Sequence, residues 1–147
     1  MPHDDTSKQE ANPACRFYVE IDKIAKAVFT EVSGLQIETE VTTYAEGGNN
    51  GFARRLPGRT TVSNLTLKRG VTSTHDLLRW YLDIVSGKID RRHVSVIQYN
   101  LRGEPIARWD FSDAYPVRWV GPQLSADSSL IAIETLELAH EGIALGN

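Results

Sequence analysis

The chain has 147 residues, enough for one domain with a hydrophobic core and too few for two comfortable ones. Its 41% hydrophobic and 24% charged residues are ordinary for a globular protein. A formal net charge of −3, with no basic excess or stripe, argues against binding nucleic acid by bulk attraction to phosphate. The basic pairs Arg54-Arg55, Lys68-Arg69 and Arg91-Arg92 mostly have acidic residues close by in sequence and read as solvated surface. Cys15 is the single cysteine, which excludes an intrachain disulfide and any cysteine-only zinc site. No apolar run is long enough to form a transmembrane segment, and the first residues lack the basic start and apolar stretch of a secretory signal. Synthesis and folding in a cytoplasm are therefore expected.

Residues 1–14 are polar, carry two prolines and show no periodicity, so they read as a flexible arm before a domain of residues 15–147. Phe17, Val19 and Ile21 alternate with Tyr18, Glu20 and Asp22, the period of a half-buried strand. Ala27–Val32 reads as a second strand, ended by Ser33-Gly34. Leu35, Ile37, Thr39, Val41 and Thr43 then alternate with Gln36, Glu38, Glu40, Thr42 and Tyr44, the clearest strand in the chain. From Ala45 to Arg59 the pattern collapses into a glycine-rich stretch with a Pro57-Gly58 turn signal, and so long a connection is usually functional or mobile. Val62–Arg69 resumes strand alternation, closed by Gly70.

Ser73–Gly87 breaks the β rhythm. Leu77, Leu78, Tyr81, Leu82 and Val85 fall at helical spacing, Ser73 or Thr74 can cap, Asp76 suits the positive end of the helix dipole, and Gly87 suits the helix end. Strand patterns return at His93–Leu101, Pro105–Phe111 and Tyr115–Val120, where Pro116 marks a strand start or an edge. Leu130–Ala139 has the composition of a helix but no clean 3.6-residue stripe, and strand is the favoured reading. The fold class is mainly β: a barrel or two packed sheets with one flanking helix.

Catalytic chemistry finds little support. His75-Asp76 and Asp90 with His93 are the close histidine–carboxylate pairs, and neither has a nucleophile or metal partner that the sequence names. His140-Glu141-Gly142 lacks the second histidine of a zinc-protease helix. Gly47-Gly48-Asn49-Asn50-Gly51 has neither phosphate-loop spacing nor a following helix and reads as a hairpin tip. Trp80, Trp109 and Trp119 suit core or interface packing better than a ligand cavity or a base-stacking platform. Glu38 and Glu40 share a strand face by simple alternation. No catalytic residue, cofactor or metal is expected. Two-faced strands with open edges and a long protrusion instead suit a protein that assembles with others.

Six segments, in order, carry a resemblance: Phe29–Leu35 (FTEVSGL), Tyr44–Gly48 (YAEGG), Leu56–Gly70 (LPGRTTVSNLTLKRG), Asp76–Tyr81 (DLLRWY), Ala107–Asp127 (ARWDFSDAYPVRWVGPQLSAD) and Ala132–Gly142 (AIETLELAHEG). Together they resemble the tail-tube proteins of contractile phage tails, including the inner-tube proteins of extracellular contractile injection systems. The resemblance implies a compact β-barrel of two packed antiparallel sheets with a flanking helix and an extended hairpin. It also implies homohexameric rings stacked into a tube within a contractile sheath. Sheath, baseplate and cap proteins of the same particle are the implied partners, with protein cargo in the lumen. By the same resemblance, residues Tyr44, Glu46, Gly47, Gly48, Asn49, Asn50, Arg54, Arg55, Leu56, Pro57 and Gly58 are candidates for contacts between subunits or rings. A baseplate-proximal tube initiator is a near alternative, and a small β-barrel module binding a ligand at its tryptophans is an alternative of another class.

Overall fold

The structure is a computed structural model that describes residues 16–44, 54–127 and 131–146. The elements are β1 (Arg16–Ile21), β2 (Ile24–Val28), β3 (Glu31–Ser33), β4 (Ile37–Tyr44), β5 (Arg54–Val62), β6 (Leu65–Gly70), α1 (Asp76–Val85), β7 (Arg92–Tyr99), β8 (Pro105–Val120), β9 (Ile133–Ala139) and β10 (Gly142–Leu145). Eight strands are linked in the order β2-β1-β7-β8-β9-β6-β3, with β10 also on β8, as two antiparallel sheets that share β8. β4 and β5 pair only with each other.

The pivot is β8. Its first part pairs with β7 and β10, and Tyr115–Val120 pairs with β9, so one strand passes between two sheets. The sequence pattern divides this stretch in two because Ser112 and Asp113 interrupt the alternation. In the structure Asp113 takes a positive φ of 52° and the strand continues through it. The expected two packed sheets and single helix are present. The barrel is not closed, because β2 and β3 end the strand order and are not paired with each other.

The core is built from alternating positions. Leu65 and Leu67 of β6, Leu136 and Leu138 of β9, Val94 and Val96 of β7, and Val19 and Ile21 of β1 face inward, with Phe111, Leu77 and Trp80 filling between them. Full burial of side chains of this size stabilises by about 1.5–3 kcal/mol each. Phe29 explains why the expected strand Ala27–Val32 is two strands: the chain turns there to bury the ring, and the Thr30 amide and hydroxyl both donate to the Lys68 carbonyl, at 2.8 and 3.1 Å.

The helix starts later than its sequence suggests. His75, in the left-handed region at φ 52°, is the N-cap residue, and neither Ser73 nor Thr74 caps. The Asp76 carboxylate instead accepts the Leu77 amide at 2.9 Å. Leu77 and Trp80 make the buried face, while Leu82 and Val85 of the predicted stripe are exposed. Gly87 follows the helix at φ 103°, as its position suggested.

Two of the basic pairs are corrected by the structure. Arg69 lies on the inward side of β6 and is 4% exposed, its Nε donating to Glu134 Oε1 at 2.8 Å and its Nη2 pairing with Asp76. Trp119 Nε1 donates to the other Glu134 oxygen at 3.1 Å. Glu134 is itself buried, so the cluster satisfies both charges where water cannot. Arg92 is largely buried as well, over the Trp80 ring at 4.7 Å and bonded to Asp90 at 2.8 Å. Arg54 and Arg55 are exposed, as expected.

Candidate assembly interface

β3 and β6 continue beyond the body as β4 and β5. Ser33 opposes Thr66, and four residues on Ile37 opposes Val62, so the two-stranded ribbon resumes the register of the sheet after a break at residues 34–36 and 63–64. The stretch Ala45–Arg59 is therefore not an open connection throughout. Arg54–Gly58 belong to β5, because Pro57 sits beside a register shift where the ladder does not need its amide. Gly58 packs at that point: a Cβ there would lie 3.2 Å from the Glu40 carbonyl oxygen.

The ribbon has two chemically different faces. Ile37 with Val62, Thr39 with Thr60 (hydroxyls 2.9 Å apart) and Val41 with Pro57 make a mainly apolar and β-branched one, which ends in Thr43 with Arg55. Glu38 with Thr61, Thr42 with Leu56 and Tyr44 with Arg54 make a mixed polar one. Every described ribbon residue is exposed except Val62, which is half-buried. Ile37 is 55% exposed, Val41 53% and Leu56 49%. An isolated two-stranded ribbon is marginally stable in water, so these side chains and edges need a partner to be buried.

Of the contact candidates drawn from the sequence, Tyr44, Arg54, Arg55, Leu56, Pro57 and Gly58 sit together on the ribbon. Glu46, Gly47, Gly48, Asn49 and Asn50 lie outside the described residues. Sequence reasoning missed Leu35, Ile37 and Val41, whose alternation reads equally well as a strand on its own core. Leu35 and Ile37 also line an apolar groove with Trp109, Ile143 and Leu145.

The groups considered for catalysis are spent elsewhere. Asp90 pairs with Arg92 and, at 3.6 Å, with Lys23; the Arg92 hydrogen bond above all holds its carboxyl below the usual range. His93 faces Asp110 at 3.3 Å rather than Asp90. Asp110 accepts from Ser95 Oγ at 2.6 Å and Arg108 Nε at 3.1 Å, and the Ser95 bond leads in lowering its pKa. Ser95 gives its proton to the carboxylate and not to the imidazole, the wrong order for an activated nucleophile. Among the described residues, no group of three or more histidine, cysteine or acidic side chains could hold a metal. No helix among them is long and apolar enough to cross a membrane. Trp80 and Trp119 direct their N–H groups to Asp90 O and Glu134, so they serve packing rather than a ligand cavity.

An exposed ribbon and polar groups committed to one another fit a structural protein better than a catalytic one. The chain belongs to the T4-like virus tail tube protein gp19 family, whose model it matches over residues 13–144. It is similar to a chain of the sheath-tube complex of the extracellular contractile injection system PVC in its extended state, at 25% identity and TM-score 0.84, covering 99% of this chain and 98% of that one. A chain of the anti-feeding prophage tube-terminating cap is 26% identical with TM-score 0.83, over 94% and 92%. Hcp1 from Flavobacterium johnsoniae shares the fold at 14% identity and TM-score 0.60, over 89% and 94%. A comparison with curated proteins gave no match. The chain is thus a tail-tube-like structural protein.

Proposed function

We propose that this chain is the inner-tube subunit of a contractile injection system or phage tail, closing into homohexameric rings that stack inside a sheath. The observation that carries the reading is the ribbon: its strands resume the body's register, yet among the described residues almost none of its side chains is covered. Contacts repeated between a ribbon on one copy and a different surface on the next are heterologous, the geometry that closes a ring. Tyr44, Glu46, Gly47, Gly48, Asn49, Asn50 and Arg54–Gly58 form the contact to the neighbouring subunit or ring. Sheath, baseplate and cap proteins are the partners, since relatives with these folds come from sheath-tube, baseplate and cap complexes. The protein is made in a cytoplasm and carried in the particle, with protein cargo in the channel. The baseplate relative, at 26% identity and TM-score 0.77, keeps a tube-initiating ring as a second reading. Copy number per particle separates the two, an initiator occupying one or very few rings.

Deleting residues 47–53 tests the reading. The variant is expected to remain folded, with unchanged tryptophan fluorescence, and to form no rings or tubes by light scattering and negative-stain imaging. Tubes from the deletion variant at the wild-type concentration, or a wild-type protein that stays monomeric at high concentration, would overturn it.

A further inference from the structure

The ribbon leaves the body at a defined branch point. β9 and β10 run along the same edge of β8, since Ala139 opposes Tyr115 and Gly142 opposes Ser112. On the other side of β9, Leu65 opposes Leu138, so the register carried on would pair Asn64 with Ala139 and then Ser63 with His140. That rung is replaced: His140 Nε2 donates to the Ser63 carbonyl at 2.9 Å. Beyond it β5 pairs with β4 instead of β10, and the apolar groove of Leu35, Ile37, Ile143 and Leu145 occupies the gap.

Three neighbours stiffen the branch. Asn64 Nδ2 donates to Glu137 Oε1 at 2.9 Å, and the Ser63 amide donates to the Gln36 carbonyl at 3.2 Å. Gly34, at φ 93°, lets the opposite strand approach so closely that a Cβ would stand 2.0 Å from the Asn64 oxygen. The His140 ring is held edge-on to the buried Phe111, centroids 4.9 Å apart. Its Nδ1 is buried without a hydrogen-bond partner. An unsatisfied buried acceptor costs stability, so the ring is oriented by the Ser63 bond at the expense of its other nitrogen.

We infer that His140 and Asn64 are positioning residues: they end the β6–β9 ladder and fix the direction in which the ribbon leaves, so that a free subunit meets its neighbour with the ribbon already aimed. A preorganised element binds without the entropic loss of being ordered on contact. The inference rests on the proposed role of the ribbon and assigns the residues that orient it.

The test compares His140→Phe, which keeps an aromatic ring on Phe111 and removes the donor, with His140→Gln, which keeps a donor, and Asn64→Ala. Spin labels on Thr42→Cys and Ala144→Cys, in a background with Cys15→Ser, report the ribbon-to-body distance in the monomer. His140→Phe and Asn64→Ala are expected to broaden that distance distribution and raise the concentration needed for ring formation by about tenfold, a single lost aligning interaction. His140→Gln restores both to near wild type. Should His140→Phe fail to fold, Asn64→Ala decides. An unchanged distribution with wild-type assembly, or failure of His140→Gln to restore either readout, overturns the inference. If deletion of residues 47–53 also leaves assembly intact, it is the role of the ribbon that has failed; if only the deletion abolishes assembly, the positioning role alone has failed.

Discussion

The body and the ribbon are made from the same strands and obey opposite rules. In the body, β6 places Leu65, Leu67 and Arg69 inward, and all three are buried. Four residues beyond the body on each strand, Ile37 and Val62 keep the same register, yet Ile37 is more than half exposed. Local sequence makes a strand in both places. Whether it is buried depends on which elements lie opposite, and among the described residues the ribbon strands β4 and β5 pair only with each other. A strand this apolar and this exposed is the surface that the proposed assembly would complete.

Mutations should separate the two regions sharply. The largest effect is expected from Arg69→Ala, which leaves Glu134 buried without its main cation and should cost about 3–5 kcal/mol in urea denaturation. The matched change on the ribbon, Arg55→Ala, should stay within about 0.5 kcal/mol of wild type. Equal losses at the two sites would erase the distinction between body and ribbon. Next in size is Val41→Ser. It should leave monomer stability almost unchanged but raise the concentration for ring assembly about tenfold or more, since burying a valine is worth about 1.5–3 kcal/mol. A drop in monomer melting temperature without a change in assembly would place Val41 in a fold contact instead.

The smallest effect concerns acid and belongs to the body. Asp110 and Asp90 have lowered pKa values, through the Ser95 and Arg92 hydrogen bonds respectively. A depressed carboxyl stabilises the folded state above its unfolded pKa, about 3.9 for aspartate, and that contribution is lost as pH falls through the lower folded value. Stability should therefore decline below about pH 4, and Asp110→Asn should flatten part of the decline. A pH profile unchanged in Asp110→Asn would remove Asp110 from the account.

Much of the strand pattern was legible because alternation is a local property. Phe17–Ile21, the strand from Ile37, Val62–Arg69 and the final segment all appear where the pattern puts strands, with shifts at their ends. Residues 54–58 were not legible as strand, because glycine, proline and two arginines conceal a ladder that a register shift accommodates. The candidate interface was half legible: the turn-rich side of the ribbon drew attention, while the apolar side of β4 looked like ordinary core. Arg69 was misread for the converse reason. A charged residue on the inward side of a strand is indistinguishable from a solvated one until Glu134, Asp76 and Trp119 are brought to it from distant parts of the chain.

The sequence by itself determined a mainly β domain with one amphipathic helix and, through its ordered motifs, the tail-tube family. Only the tertiary structure decided that the sheets share β8 and remain open, that Arg69 and Glu134 are buried together, and that the ribbon parts from β10 at Ser63 and His140. The division follows from range. Periodicity and turn chemistry are written within a few residues, whereas burial and branching depend on which segments, dozens of residues apart, come to share one space.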